Sequence, residues 1–178
     1  MNKSEIRKKI LKIRNLNCNK NLDVNFALIL KILKNYKQVD KIIGGYYPYN
    51  CEVNVIKILE KLEKQNYQIS LPKIKNNYQM DFFQWSAKHP LNINKFGIPE
   101  PTSDKLIFPN ILLIPLVAFD KQLNRIGYGG GFYDRYIEKI KKKKNIITIG
   151  LAYSFQKVPE IPVNEYDMKL DYIVTEKN

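Results

Sequence analysis

One histidine and two cysteines in 178 residues leave this chain little with which to hold a transition metal. His89 stands alone before a proline, and Cys18 and Cys51 form no CxxC or Cys/His pattern. Neither a zinc centre nor a disulfide framework is expected, and both cysteines read as ordinary residues. No uninterrupted apolar run approaches the ~20 residues of a membrane span. Met1 to Lys9 leads into a charged helix without the apolar region of a signal peptide, so a cytoplasmic protein with no membrane partner is expected. Acids are scarce too: 17 Asp and Glu stand against 30 Lys and Arg, a formal charge of +13. Such an excess raises the question of nucleic acid, because lysine clusters neutralise phosphate backbones without a dedicated site. The lysines, however, recur from end to end among Asn, Ile and Tyr. The one dense run, Lys141 to Lys144, falls where a helix is expected to end, and cations suit that end of the helix dipole. No nucleic-acid reading motif is present, so no specific nucleic-acid partner is expected.

What is present is a core. At 44% apolar residues the chain suits a single domain over 1–178 and is short for two. Ser4 is a plausible N-cap for a helix to about Leu16, with Ile6, Ile10 and Ile13 on one face and Lys3, Arg7 and Arg14 elsewhere. Asp23 is placed to cap a second helix from Val24 to Tyr36. Val39 to Gly45 reads as a strand, Val53 to Lys64 as a helix, Tyr67 to Leu71 as a strand closed by Pro72, and Tyr78 to Trp85 as another strand. Ile111 to Phe119 carries no charge and reads as one central strand covered on both faces. Phe132 to about Lys142 follows as a helix, with strands at Ile146 to Ala152 and Asp171 to Thr175. Ser154 to Asp167 is too rich in proline for regular structure. Strands alternating with helices predict a three-layer α/β/α domain with a mostly parallel central sheet.

Between the central strand and its helix lies Arg125-Ile-Gly-Tyr-Gly-Gly-Gly-Phe-Tyr-Asp-Arg135. Glycines at 127, 129, 130 and 131 are expected to let the backbone take positive φ and a ligand approach the main chain. The helix N-terminus behind them suits a phosphate. Arg125 and Arg135 bracket the loop, and a guanidinium holds phosphate bidentately. Asp134 either complements the dipole or, beside a polyphosphate, holds a divalent cation. A Walker A loop would need Gly-Lys-Ser/Thr where Gly131-Phe132 stands. A dinucleotide fingerprint would come early in the chain with an acid about 20 residues on.

The words of this stretch say more than its spacing. Pro115 to Phe119 with Asp120, then Asn124 to Arg135, resembles the signature of the 5-formyltetrahydrofolate cyclo-ligase, or methenyltetrahydrofolate synthetase, family. Lys3 to Arg14, Tyr47 to Glu52, Phe96 to Pro101, Gly150 to Gln156 and Pro162 to Asp171 match in the family's order, so the resemblance spans the chain. It implies an enzyme that uses ATP and Mg²⁺ to close 5-formyltetrahydrofolate into 5,10-methenyltetrahydrofolate through a phosphorylated formyl group, an iminium phosphate. It implies ATP contacts at Lys3, Arg7 and Arg125, and along Ile126, Gly127, Tyr128, Gly129, Gly130, Gly131, Phe132 and Tyr133. Substrate contacts are implied at Tyr47, Glu52 and Phe96, where Glu52 is complementary to the N–H edge of a pterin. Mg²⁺ is implied at Asp134 and Asp167. The family commonly has His before that last aspartate and this chain has Tyr166. A monomer with a small-molecule folate substrate is the expectation.

Dispersed charge leaves counterion release as the only drive toward nucleic acid. In a filter-binding titration, binding is expected to be weak, indifferent to sequence and lost at physiological salt; tight, sequence-selective binding there would overturn the dispersed-charge reading.

Overall fold

Alternate residues of the apolar run that begins at Ile111 point to opposite sides. Ile111 and Leu113 join one buried cluster and Leu112 and Ile114 another, the period of a strand covered on both faces. The computed structural model describes residues 1–20, 22–36, 41–76 and 78–178. In chain order these form α1 (Lys3–Leu16), α2 (Phe26–Asn35), β1 (Ile42–Gly44), α3 (Ile56–Glu63), β2 (Gln68–Ile74), β3 (Met80–Trp85), β4 (Leu91–Ile93), β5 (Pro99–Pro101), β6 (Ile111–Pro115), β7 (Ala118–Phe119), β8 (Arg125–Ile126), α4 (Phe132–Lys141), β9 (Ile147–Leu151) and β10 (Tyr172–Val174). The central sheet has the order β10-β9-β6-β1-β2-β3, parallel except for the antiparallel pair of β2 and β3 at one edge. Helices α2 and α3 cover one face through Ile29, Leu33, Leu59 and Leu62, and α4 covers the other through Tyr136, Ile137 and Ile140. The three-layer α/β/α architecture is therefore present. Among the described residues no helix is long and apolar enough to cross a membrane.

Several expected boundaries move, each for a local reason. The cap of α1 is Asn2, whose side chain accepts from Glu5 N while Glu5 accepts from Asn2 N, a reciprocal box that Ser4 cannot make from inside the helix. Asn25, not Asp23, caps α2 by accepting from Leu28 N. Residue 39, the expected start of the first strand, lies outside the described residues. The loop 46–55 holds α3 back to Ile56. Pro72 does not close β2 but sits inside it, opposite Phe82. Parallel pairing with β1 stops at Ser70, so the missing N–H falls where β2 has only one partner.

The apolar run is not one strand. It leaves the sheet after Pro115, and Ala118–Phe119 instead pair with Arg125–Ile126 in a small hairpin. Helix α1 packs on that hairpin and not on the sheet, through Ile6 and Ile10 against Val117, Ala118, Ile126 and Ile161. The turn is organised by the buried Asp120. Its Oδ1 accepts from Gln122 N at 2.9 Å and Asn124 N at 3.0 Å, and its Oδ2 accepts from Asn124 Nδ2 at 2.9 Å and Ile161 N at 3.1 Å. The lysine run lies at the end of α4, where Lys142 pairs with Glu138 one turn back at 2.7 Å.

Asp120→Ala would strand three backbone N–H groups in or near the interior. At ~1–3 kcal/mol for each unsatisfied donor, a loss of about 3 kcal/mol or more is expected. Chemical denaturation checks this, and a wild-type midpoint would contradict it.

Candidate active site

A parallel sheet opens a crevice where neighbouring strands send their chains to opposite faces. Here β1 continues into α3 on one face and β6 leads to α4 on the other, so the crevice lies at the carboxyl ends of β1 and β6. A cleft of about 810 Å³ occupies that place, with Tyr46 and Pro115, just beyond or at those ends, in its wall. Every residue singled out as a candidate contact lines it: Lys3, Arg7, Tyr47, Glu52, Phe96, the continuous stretch from Arg125 to Tyr133, Asp134 and Asp167.

One end of the cleft is built for anions. Gly129 and Gly131 take φ of +103° and +65°, while Gly127 and Gly130 do not take positive φ, which corrects the expectation for those two. Gly131 is the N-cap of α4, and no side chain caps that helix, so its first amides are left to other partners. Around the loop, Arg7 Nε donates to Gly127 O at 2.8 Å, and Lys3 is ion-paired with Asp167. The buried Arg125 donates to Met168 O and pairs with Asp134 at 2.6 Å. Arg135, expected to flank phosphate, spends its fork on the carbonyls of Tyr78 and Gly130.

Asp134 and Asp167 are also the acids to test for a metal. Asp134 Oδ1 holds Arg125 and Met168 N, and Asp167 Oδ2 holds Lys3 and Asn164 N. Asp134 Oδ2 and Asp167 Oδ1 have no hydrogen bond among the described residues. These two oxygens fit Mg²⁺, which takes one or two carboxylates and completes its shell with water and phosphate oxygens. Among the described residues no cluster of three or more His, Cys, Asp or Glu could hold a metal alone.

The rest of the lining is largely apolar and aromatic, with Pro72, Ile74, Met80, Phe96, Ile98 and Tyr47 in the wall. Glu100 fixes the Phe96 loop there by accepting from Ile74 N at 2.8 Å and Asn94 Nδ2 at 2.7 Å, a holding role for a residue read only as part of a motif. Glu52 is half-buried and accepts from Tyr49 N at 3.0 Å. Burial pushes its carboxyl up to about 7, against the Tyr49 hydrogen bond and the Arg14 charge, which pull it down. The buried Tyr133 hydroxyl has no hydrogen-bond partner among the described residues. An orphaned polar atom in a cleft wall suits a site that a ligand completes.

Three residues depart from the sequence reading. Arg14, placed with the outward basic residues, is 1% exposed, donating to Leu116 O and to the Tyr128 hydroxyl. Its spacing of seven and eleven from Arg7 and Lys3 was the signal, since both intervals return to nearly the same helical face. Cys18 and Cys51, read as ordinary residues, are joined in a disulfide with Cα atoms 5.3 Å apart. Their separation of 33 residues hides the pairing, which appears only when the end of α1 is laid beside the 46–52 loop.

The chain is matched over residues 1–176 by the family model described as the 5-formyltetrahydrofolate cyclo-ligase family. It is 35% identical to the 5-formyltetrahydrofolate cyclo-ligase of Haemophilus influenzae over 137 residues, 73% of each chain. With the enzyme of that name from Escherichia coli strain K12 it shares 30% over 140 residues, 75% of this chain and 76% of the other. Among solved structures it is similar to the 5,10-methenyltetrahydrofolate synthetase of Mycoplasma pneumoniae, with TM-score 0.73, 25% identity and coverage of 99% and 100%. It is also similar to that of Aquifex aeolicus, with TM-score 0.75, 29% identity and coverage of 100% and 91%.

A carboxyl that titrates near 7 in the fold but near 4.5 in the open chain favours the fold below 4.5 and loses that contribution as pH rises to about 7. Glu52→Gln does not titrate. Its stability relative to wild type is expected to grow by about 3 kcal/mol between pH 4.5 and 8. Paired thermal melts check this, and a constant difference would show that Glu52 titrates normally.

Proposed function

Because this chain belongs to the 5-formyltetrahydrofolate cyclo-ligase family, whose members are ligases, we propose that it closes 5-formyltetrahydrofolate to 5,10-methenyltetrahydrofolate at the expense of ATP, using the cleft between β1 and β6. The observation that carries this reading is one continuous cleft lined both by the glycine loop with Lys3, Arg7 and Arg125 and by apolar and aromatic side chains with the carboxylate of Glu52. The two linings suit a polyphosphate and a pterin.

The formyl oxygen on N5 is a poor leaving group. In the proposed reaction it attacks the γ-phosphorus of ATP and ADP departs. N10 then attacks the activated formyl carbon, phosphate leaves with the former formyl oxygen, and N10 gives up its proton. Chemistry of this kind asks the protein chiefly for positioning and charge neutralisation. The amides of 127–131 and the α4 N-terminus cradle the phosphates, with Lys3, Arg7 and Arg125 supplying positive charge. Asp134 and Asp167 would hold Mg²⁺, which supplies further neutralisation of the phosphate oxygens when bound. Glu52 accepts from the amino-pyrimidinone N–H groups, a role open only to its ionised form, while Tyr47 and Phe96 flank the ring. The reading includes a monomer, because one chain supplies the whole cleft, and a cytoplasmic setting.

The test adds ATP, Mg²⁺ and 5-formyltetrahydrofolate and follows the methenyl absorbance. Gly129→Val forces a β-branched residue into a φ that it cannot hold and should abolish turnover. Arg125→Ala should cost on the order of a few kcal/mol in ATP binding or its transition state. Glu52→Gln sets a donor against a donor and should weaken folate by roughly 1.5–3 kcal/mol while leaving ATP affinity alone. Lys142→Ala should be silent. Melts run beside the kinetics separate site effects from unfolding. Wild-type turnover in folded Gly129→Val and Arg125→Ala proteins, or no methenyl product from the wild type, would sink the proposal.

A further inference from the structure

The buried guanidinium of Arg14 has no acidic hydrogen-bond partner. It donates to Leu116 O at 3.3 Å and to the Tyr128 hydroxyl, lies over the Tyr128 ring at 5.5 Å, and leaves Nε without a partner among the described residues. A charge this buried needs compensation from somewhere. The contacts lead in a ring to Glu52. Tyr128 meets Tyr49 edge-on with ring centroids 5.9 Å apart, and Tyr49 N donates to Glu52. Cys51, next to Glu52, is bonded to Cys18, which lies one helical turn beyond Arg14. The loop inside this ring takes an unfavoured course: Asn50 and Cys51 have φ of +46° and +58°. Successive residues other than glycine persist there only when their surroundings over-determine them.

We propose that Arg14 is a positioning residue for Glu52 and that the Cys18–Cys51 disulfide holds the two in register, so that a dithiol reductant loosens the folate end of the cleft while sparing the phosphate end. The inference rests on Glu52 being the folate carboxylate. Arg14 acts on that carboxylate across space: its positive charge opposes the burial that drives Glu52 toward its neutral form. The other groups facing Glu52 are Tyr46 and the Tyr49 N–H from its own loop, Tyr128 from the glycine loop and Tyr133 from α4. Among these groups Arg14 is the one cation. On reduction a dithiol supplies two electrons and two protons, the S–S bond breaks to give the Cys18 and Cys51 thiols, and the dithiol closes to its own disulfide. The loop then keeps its links toward α1 through Tyr49 and Asn50 to Tyr128 and from Tyr128 to Arg14, and its left-handed turn is freer to relax. Disulfides are uncommon in a cytoplasmic setting because thiol pools reduce them, which makes the bond a means by which redox state reaches the substrate.

The experiment measures dissociation constants for 5-formyltetrahydrofolate and for ATP from pH 5.5 to 8.5. It compares oxidised wild type, wild type with dithiothreitol, Cys18→Ser, Arg14→Gln, Arg14→Lys and Glu52→Gln. Dithiothreitol and Cys18→Ser are expected to weaken folate binding by roughly threefold to tenfold with ATP changed less than twofold, and Arg14→Gln to weaken folate by about tenfold and ATP by less than folate, since Arg14 also holds Tyr128 of the glycine loop. Arg14→Gln should also move the midpoint of the folate pH profile upward, and Arg14→Lys should restore it in part. A merely structural Arg14 would leave that midpoint in place. If Arg14→Gln does not fold, the dithiothreitol arm on the wild-type chain decides. Unchanged folate affinity on reduction, an unmoved midpoint in folded Arg14→Gln, or two titratable thiols in the unreduced, denatured protein each overturns the proposal. Wild-type folate affinity in Glu52→Gln overturns instead the assignment of Glu52 on which it rests.

Discussion

The four hydrogen bonds accepted by Asp120 hold together parts of the chain that the central sheet does not reach. After Pro115 the backbone leaves its parallel neighbours for a two-residue pairing, Ala118–Phe119 with Arg125–Ile126, flanked by Gln156 on the carbonyls of Leu116 and Val117 and by Val158 N on Phe119 O. A hairpin so short is marginal alone. The carboxylate closes its turn and, through Ile161 N, fastens the proline-rich segment that goes on to Asp167. The glycine loop continues directly from β8, and α1 finds its apolar seat on the same hairpin. The glycine loop, the basic helix and the segment of Asp167 therefore meet at a hairpin whose turn is closed by one buried acid, away from the sheet.

This explains a feature of the cleft that its net charge conceals. Lys3 is paired with Asp167 and Arg125 with Asp134, so two of the three cations assigned to phosphate already face an acid assigned to the metal, while Arg7 donates to Gly127 O. Breaking a partly buried pair by removing one partner is costly, whereas exchanging partners keeps each charge compensated. A polyphosphate carrying its own divalent cation offers that exchange, anion to the basic groups and cation to the acids. A polyphosphate alone, or a free cation alone, satisfies only half of it. On the proposed reading, the arrangement would favour the metal-complexed nucleotide by pairing charges rather than by adding positive ones.

Much of this was legible in the residues. The layer architecture followed from apolar period and element order, and the glycine loop, its arginine and its acid followed from types that few other settings require. Less visible was whatever depended on distant parts meeting. An apolar run from Ile111 to Phe119 looks the same whether it stays in the sheet or turns out of it after Pro115, because hydrophobicity records burial and not partner. Pro72 reads as a strand end unless one knows that β1 stops short of it. Arg14 reads as solvated until the helix is seen packed on a hairpin. Cys18 and Cys51 carry no spacing signal at all, since loop closure over 33 residues is a property of the fold.

Helix α1 reaches both ends of the cleft. Lys3 and Arg14 are eleven residues apart, about 16 Å along the axis, which is enough to place one among the phosphate groups and the other beside the loop of Glu52. Its apolar attachment is narrow: Ile6 and Ile10 are its fully buried aliphatic residues, and they rest on a hairpin instead of the sheet. An element with few buried apolar contacts is drawn from the less stable part of a structure. Any displacement of α1 therefore alters the phosphate end and the carboxylate end together. The proposed two-substrate reaction, which brings one ligand's γ-phosphorus to another's formyl oxygen, would gain from that coupling, because a helix seated by both ligands would tie the assembly of the two half-sites into a single event.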